Sequence, residues 1–225
     1  MGSCDDIEQP IMAHPPCKSS DLSFENFWKL CLSEARQHLK LDFKDLKSIQ
    51  RCMPTILAGK QQLAAQGQAV WINADILPGP NRRHEVGAIC EQEFFEAIKP
   101  CFGIPLSLGW RVAQGPEGYN LQDVSEMCRA CEGYPSDRLV FATSARLAGL
   151  DTMPLLELLK RKPGSQLLIW TGTGEAPIRW CFHRDLAAQL QGVQHRVGYD
   201  CQIQSCSQAV AAIMRQAVKA IGRLC

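Results

Sequence analysis

The chain has no apolar run near the roughly 18 residues that a bilayer-spanning helix needs, so a transmembrane helix is not expected in its 225 residues. It also has almost no net charge: 24 Lys and Arg against 23 Asp and Glu leave +1. A broad electrostatic grip on nucleic acid or on an anionic membrane is therefore not expected. No G-x-G-x-x-G follows a strand-like run, which removes the usual dinucleotide site. The opening MGSCDDIEQP has neither the basic nor the apolar segment of a signal peptide, so by itself the chain reads as cytoplasmic. Gly- or Ser-rich linkers are missing too, and residues 1–225 read as a single domain.

What is present suits a packed core: 46% of the residues are hydrophobic and 21% are charged, which excludes wholesale disorder. Twelve cysteines are scattered along the chain. Only Cys128 and Cys131 form a C-x-x-C, and no second pair stands at zinc-finger spacing. Their setting, EMCRACEGY, reads as the end of a helix, which favours two thiols over a zinc or redox centre.

Short β-rich runs alternate with helical stretches. Ser23 is placed to cap a helix carrying Phe24, Phe27, Trp28, Cys31 and Leu32 at helical spacing,. Strands are predicted at Leu39 to Phe43, Ala69 to Leu77, Leu106 to Trp110, Leu139 to Ala142, Leu167 to Trp170 and Val193 to Cys201. Helices are predicted from about Leu46 to Gln66, through Glu91 to Ile98 and across Val124 to Ala130, with a brief extended segment at Pro10 to His14. Such alternation argues for βα units and a parallel sheet, either open and doubly wound or a (β/α) barrel. Polar residues recur at the ends of successive strands, where barrel enzymes place their chemistry, and this favours the barrel.

Strand parity selects the candidate site. In LKLDFK, Asp42 and Lys44 are two apart and share a face, suiting a metal ligand beside a phosphate-binding cation, or equally a plain ion pair at a strand end,. In WINADIL, Trp71, Asn73 and Asp75 share a face. A covered strand face seldom carries Asn and Asp without hydrogen bonds or a function, and a polar network between strands is the competing account. His14, fixed before Pro15 and Pro16, is a candidate general acid or base, although a histidine beside proline is often a surface residue. Trp110 and Trp170 end strands and are candidate pocket walls, with core packing the alternative for each.

Together, IMAHPP, LKLDFK, VWINADILPGPN, LSLGW, GPEGY and IWTG resemble the menorin family, in this order and at similar spacing, from about Pro10 to Tyr199. That domain in turn is similar to the phospholipase C-like phosphodiesterases, (β/α) barrels that include glycerophosphodiester phosphodiesterases and spider-toxin phospholipases D. The resemblance implies phosphodiester hydrolysis or transfer supported by a divalent cation, Mg²⁺ or Ca²⁺. Residue by residue, it gives His14 and Lys44 catalytic roles, Asp42 the role of a metal ligand and Trp170 a place lining the site. Asn73 and Asp75 are distinctive of menorin itself, and strand parity makes Asp75 the second candidate carboxylate for the metal. Asn73, Trp110 and Trp170 would contact substrate, a small phosphodiester or lipid-like molecule. The same resemblance also allows a non-catalytic ligand-binding or scaffold protein with a developmental or neuronal role, and an extracellular location.

Two strands of that pattern, one bringing a first histidine and one a Glu-x-Asp pair, have no counterpart ahead of Pro10. The expectation is thus an incomplete (β/α)8 TIM-type barrel, N-terminally truncated relative to the family, with about six parallel strands and covering helices. Its half-site is expected to hold a cation weakly or not at all.

Overall fold

In the computed structural model, which describes residues 9–13, 17–34, 37–85 and 89–204, the Ser23 hydroxyl accepts from the Asn26 amide and starts helix α1 (Phe24–Ser33). There follow β1 (Leu39–Phe43), α2 (Leu46–Ala65), β2 (Val70–Pro78), α3 (Glu91–Ile98), β3 (Leu106–Arg111) and α4 (Leu121–Ala130). The chain continues through β4 (Leu139–Ser144), α5 (Ala145–Ala148), α6 (Met153–Arg161), β5 (Gln166–Trp170), β6 (Ile178–Arg179), α7 (Trp180–Gln189), β7 (Val197–Asp200) and β8 (Ile203–Gln204). Six strands form one parallel sheet in the order β1-β2-β3-β4-β5-β7, curled into an open half-barrel. The short β6 and β8 pair separately. Among the described residues, β1 and β7 have a neighbouring strand on one side only. None of the described helices is long and apolar enough to cross a membrane.

The sheet is apolar on its outer face. Leu41, Phe43, Ile72, Ala74, Leu106, Leu108, Phe141, Leu167 and Ile169 are buried there in one core with Ile49, Ile56 and Leu63 of α2, Phe94 and Ile98 of α3, Val124 and Met127 of α4, and Leu155, Leu158 and Leu159 of α6. Each fully buried aliphatic or aromatic side chain of this kind contributes about 1.5–3 kcal/mol. Helical spacing on one side and two-residue alternation on the other bring these sets together without further instruction.

Helix starts are set by polar caps. Asp45 opens α2, its carboxylate accepting from the Ser48 amide at 2.7 Å and the Ser48 hydroxyl at 2.8 Å. Asn120 and Asp123 form a reciprocal capping box on α4,. Helix α2 therefore begins after a two-residue link from β1, and α4 after a nine-residue loop from β3, which keeps the strand ends free to present side chains.

Two loops at that end are fastened to each other. Asn81, in Pro78-Gly79-Pro80-Asn81, has φ of 62°, the left-handed region that Asn tolerates better than most residues. Its side chain donates to the carbonyls of Ala113 and Glu117 and accepts from the Glu117 amide. Arg83 grips Asp123 through two parallel bonds of 2.9 and 2.8 Å and donates to the Gly118 carbonyl at 2.7 Å. Asp123 is 1% exposed, so this guanidinium and the Asn120 amide are what make its buried charge tolerable,. The PGPN and GPEGY segments, prominent in the sequence, thus act as mechanical partners that hold β2 and β3 loops together.

The predicted elements correspond closely, with one correction near the end. The stretch Val193 to Cys201 is not one strand: residues 191–196 wind into a 3₁₀ turn and only Val197–Asp200 pairs with β5. Arg196 explains the boundary, because it donates to the carbonyls of Leu159, Lys162 and Ser165 and pins the turn to the end of α6. Ile11 lies in the brief extended segment and bridges Ser23 in antiparallel fashion.

Removing the guanidinium should leave Asp123 buried and unpaired. Arg83→Ala is expected to destabilise the fold by about 2–3 kcal/mol, read as a fall in thermal midpoint of roughly 5–10 °C. Arg83→Lys should recover only part of that loss, since an ammonium cannot make the paired bonds.

A charged groove on the inner face of the half-barrel

Register decides what meets on the inner face. In the parallel pairing of β1 with β2, Asp42 stands opposite Asn73, and in that of β2 with β3, Asn73 stands opposite Ser107 and Asp75 opposite Gly109. On the far side Trp170 of β5 stands opposite Asp200 of β7. The resulting groove has a volume of about 330 Å³ and is lined by Lys40 and Asp42 from β1, Lys44 just after it, Asn73 and Asp75 from β2, and Ala142 from β4. Trp170, the loop Thr171-Gly172-Thr173 and Asp200 complete it.

Within it, Lys44 Nζ lies 2.8 Å from Asp42 Oδ2 and Asn73 Nδ2 donates to Asp42 Oδ1 at 2.7 Å. Asp42 is therefore held from two sides, by its own strand and by the next. The remaining Asn73 oxygen, Oδ1, is buried without a hydrogen-bond partner, and so is the Ser107 hydroxyl. Unmade bonds of this kind cost roughly 1–3 kcal/mol each, and they leave acceptor and donor capacity on the groove floor.

Asp75 sits over Gly109. A Cβ at residue 109 would lie 2.2 Å from Asp75 Oδ1, so only glycine on β3 leaves room for this carboxylate to lie flat against the sheet. Burial pushes the Asp75 carboxyl up from its ordinary 3.8 to about 6, with Asp42 adding to the rise and Lys44, Lys40 and Arg111 opposing it. Two mechanisms meet here: loss of water around the charged form, and a neighbouring like charge.

Five of the seven residues singled out from the sequence come together in this groove: Asp42, Lys44, Asn73, Asp75 and Trp170. Trp110 does not. It alternates with Gly109, shares the parity of Leu106 and Leu108, and is 1% exposed on the outer face. There it packs on Tyr119 and Phe141 at 5.2 and 6.4 Å, so its substrate-contacting role is corrected to core packing. His14 lies outside the described residues.

Sequence reasoning missed Lys40, the Thr171–Thr173 turn and Asp200. Lys40 carried a usable signal, since it has the same parity as Asp42 and Lys44. Asp200 carried none, because its place depends on which residue of β5 it faces. A larger hollow of about 470 Å³ lies outside the barrel, between α3 and the end of α4, lined by Phe95, Phe102 and Tyr134 among others. Its lining includes Glu91, Glu96, Lys99, Arg129 and Glu132, of which Arg129 pairs with Glu91 and Lys99 with Glu96, and it contains none of the residues singled out from the sequence. Cys128 and Cys131 are free thiols at the end of α4. Burial pushes Cys131 up to about 11 and raises Cys128 as well, the reverse of what a reactive thiolate requires.

The groove's oxygen donors were tested against a divalent cation. Asp42 is already engaged by Lys44 and Asn73, leaving the Asp75 and Asp200 carboxylates and the unpartnered Asn73 Oδ1. Among the described residues, no group of three or more His, Cys, Asp or Glu is placed to hold a metal. Mg²⁺ and Ca²⁺ take roughly six or more oxygens. The described donors do not fit such an ion.

A curled parallel half-barrel with a polar groove at the C-terminal ends of its strands defines the class: an α/β protein of barrel type, open on one side. The family model of the menorin N-terminal domain matches residues 2–203, and this chain belongs to the menorin family. It is 36% identical to the human protein FAM151B over 172 residues, covering 74% of this chain. The chain spans about 60% of the length of that relative. No solved structure matches it.

The raised pKa of Asp75 has a sign that can be checked. The folded state takes up this proton more readily than the unfolded state. Charging Asp75 therefore lowers stability as pH rises from 3.8 to about 6, by at most about 3 kcal/mol in total. Asp75→Asn should be more stable than the parent at pH 7–8, and that advantage should vanish below pH 4. Denaturant unfolding across this range measures it.

Proposed function

We propose that the groove binds a phosphodiester-like anion, positioned by Lys44 and the Asp42–Asn73 pair, and that this chain turns such a ligand over weakly or not at all. The observation that supports this reading is the convergence of Lys44, Asp42 and Asn73 within 2.8 Å contacts on two adjacent strands, at the end of the sheet where barrels carry their chemistry. An ammonium group fixed by a carboxylate is a well-placed donor to a phosphoryl oxygen, because its orientation is set before the ligand arrives. The partly exposed Trp170 offers an apolar wall on the opposite side.

Hydrolysis or transfer of a phosphodiester is what the family resemblance implies for a complete barrel, with His14 as general acid or base and Mg²⁺ or Ca²⁺ as cofactor. Against full activity here stands the state of Asp42, whose two oxygens already serve Lys44 and Asn73. The same fact favours the second reading, a ligand-binding or scaffold protein that keeps the pocket without the turnover.

Binding of a glycerophosphodiester, followed by calorimetry or NMR shifts, tests the proposal. Lys44→Met should weaken binding about tenfold or more, equivalent to about 1.4 kcal/mol, and Asp42→Asn should weaken it by loosening Lys44. Unchanged affinity in both variants would move the function elsewhere. Titration with Mg²⁺ or Ca²⁺ alone should give no binding in the micromolar range. Micromolar binding that Asp42→Ala abolishes would instead establish a metal-dependent site.

A further inference from the structure

We infer that Lys40 is a specificity-determining residue that selects ligands carrying a second negatively charged group beyond the phosphodiester; this rests on the phosphodiester reading of the groove. Lys40, Asp42 and Lys44 have one parity on β1, and all three line the groove. Their charges are not equivalent. Lys44 is bound to Asp42 at 2.8 Å, whereas Lys40 is exposed. Among the described residues no carboxylate lies within ion-pair distance of it.

The residue opposite Lys40 on β2 is Trp71, which is partly exposed and brings no charge. Lys40 is nonetheless part of the groove's field, since its charge helps hold the Asp75 proton equilibrium down. An ammonium inside a ligand groove that no described carboxylate neutralises is suited to serve as an anion subsite.

Distance fixes what that partner looks like. Lys40 and Lys44 are four positions apart, Lys44 lying just past the end of β1 at Phe43, so their backbones stand up to about 13 Å apart. One phosphoryl group held by Lys44 therefore leaves Lys40 to a different part of the ligand. Asp42 lies between them on the chain, facing Asn73, and this carboxylate disfavours a single extended anion covering both lysines. The geometry calls for two discrete anionic groups joined by a neutral, hydrogen-bonding spacer such as a polyol.

Two probes differing only in that group make the test: glycerophosphoglycerol, with one phosphodiester, and the same molecule bearing a terminal phosphate monoester. Dissociation constants are measured at about 50 mM salt, where screening between exposed charges is modest. The parent chain should prefer the phosphorylated probe by roughly five- to tenfold, a range typical of one well-placed charge. Lys40→Met should bring the ratio close to one, and Lys40→Glu should invert it, with the ratio of the two affinities as the readout. Lys44→Met should weaken both probes together and keep the ratio.

Equal binding of both probes by the parent, with sensitivity to Lys44→Met, would overturn the Lys40 assignment and leave the phosphodiester reading standing. A preference that survives Lys40→Met would do the same. Failure of the parent to bind either probe would overturn both.

Discussion

Two-residue alternation along parallel strands held in fixed register is the constraint from which the groove follows. Once Leu41, Phe43, Ile72 and Ala74 face the helices, Asp42 and Asn73 have no choice but the inner face, and the β1–β2 register puts them opposite each other. The hydrogen bond between them is thus a product of core formation rather than a separate event. A one-residue slip of β1 would bury Lys40, Asp42 and Lys44 against α2, at a cost no local rearrangement could offset. Site and core are specified by the same alternation.

The half-barrel and most of its strands were legible in the sequence because apolar runs and caps are local signals. Asp42, Lys44, Asn73 and Asp75 were legible for the same reason, since parity needs only the spacing within LDFK and NAD. Trp110 was misread because its position at a strand end was given more weight than its parity with Leu106 and Leu108. Lys40 was passed over although parity included it. Asp200 and the Thr171–Thr173 turn could not be found this way, because they enter through pairing with β5 and the path of the following loop. Pairing is a non-local property. Spacing within one segment does not encode it.

The most distinctive segment of the sequence, VWINADILPGPN, turns out to serve two purposes. Its first half supplies groove side chains, and its second half fastens the loops: Asn81 to Ala113 and Glu117, and Arg83 just beyond to Asp123. A motif that looks like a binding signature can therefore be partly a fastener. The buried Asp123 shows how the two are linked, since the residue that caps α4 also anchors the loop leaving β2. Strand ends that carry chemistry are steadied by bonds that touch no ligand.

Among the described residues β1 is paired on one side only, and this gives its charges a further meaning. A strand with unpaired backbone on one side is a template for any extended chain that meets it, and natural proteins discourage such pairing with charged side chains pointing inward. Lys40, Asp42 and Lys44 occupy every inward position of β1 and the residue after it. A foreign strand laid along β1 would have to place its own side chains beside this alternating row and strip water from it. Apolar replacements at these three positions would remove that protection, so the row guards against association as well as lining the groove,.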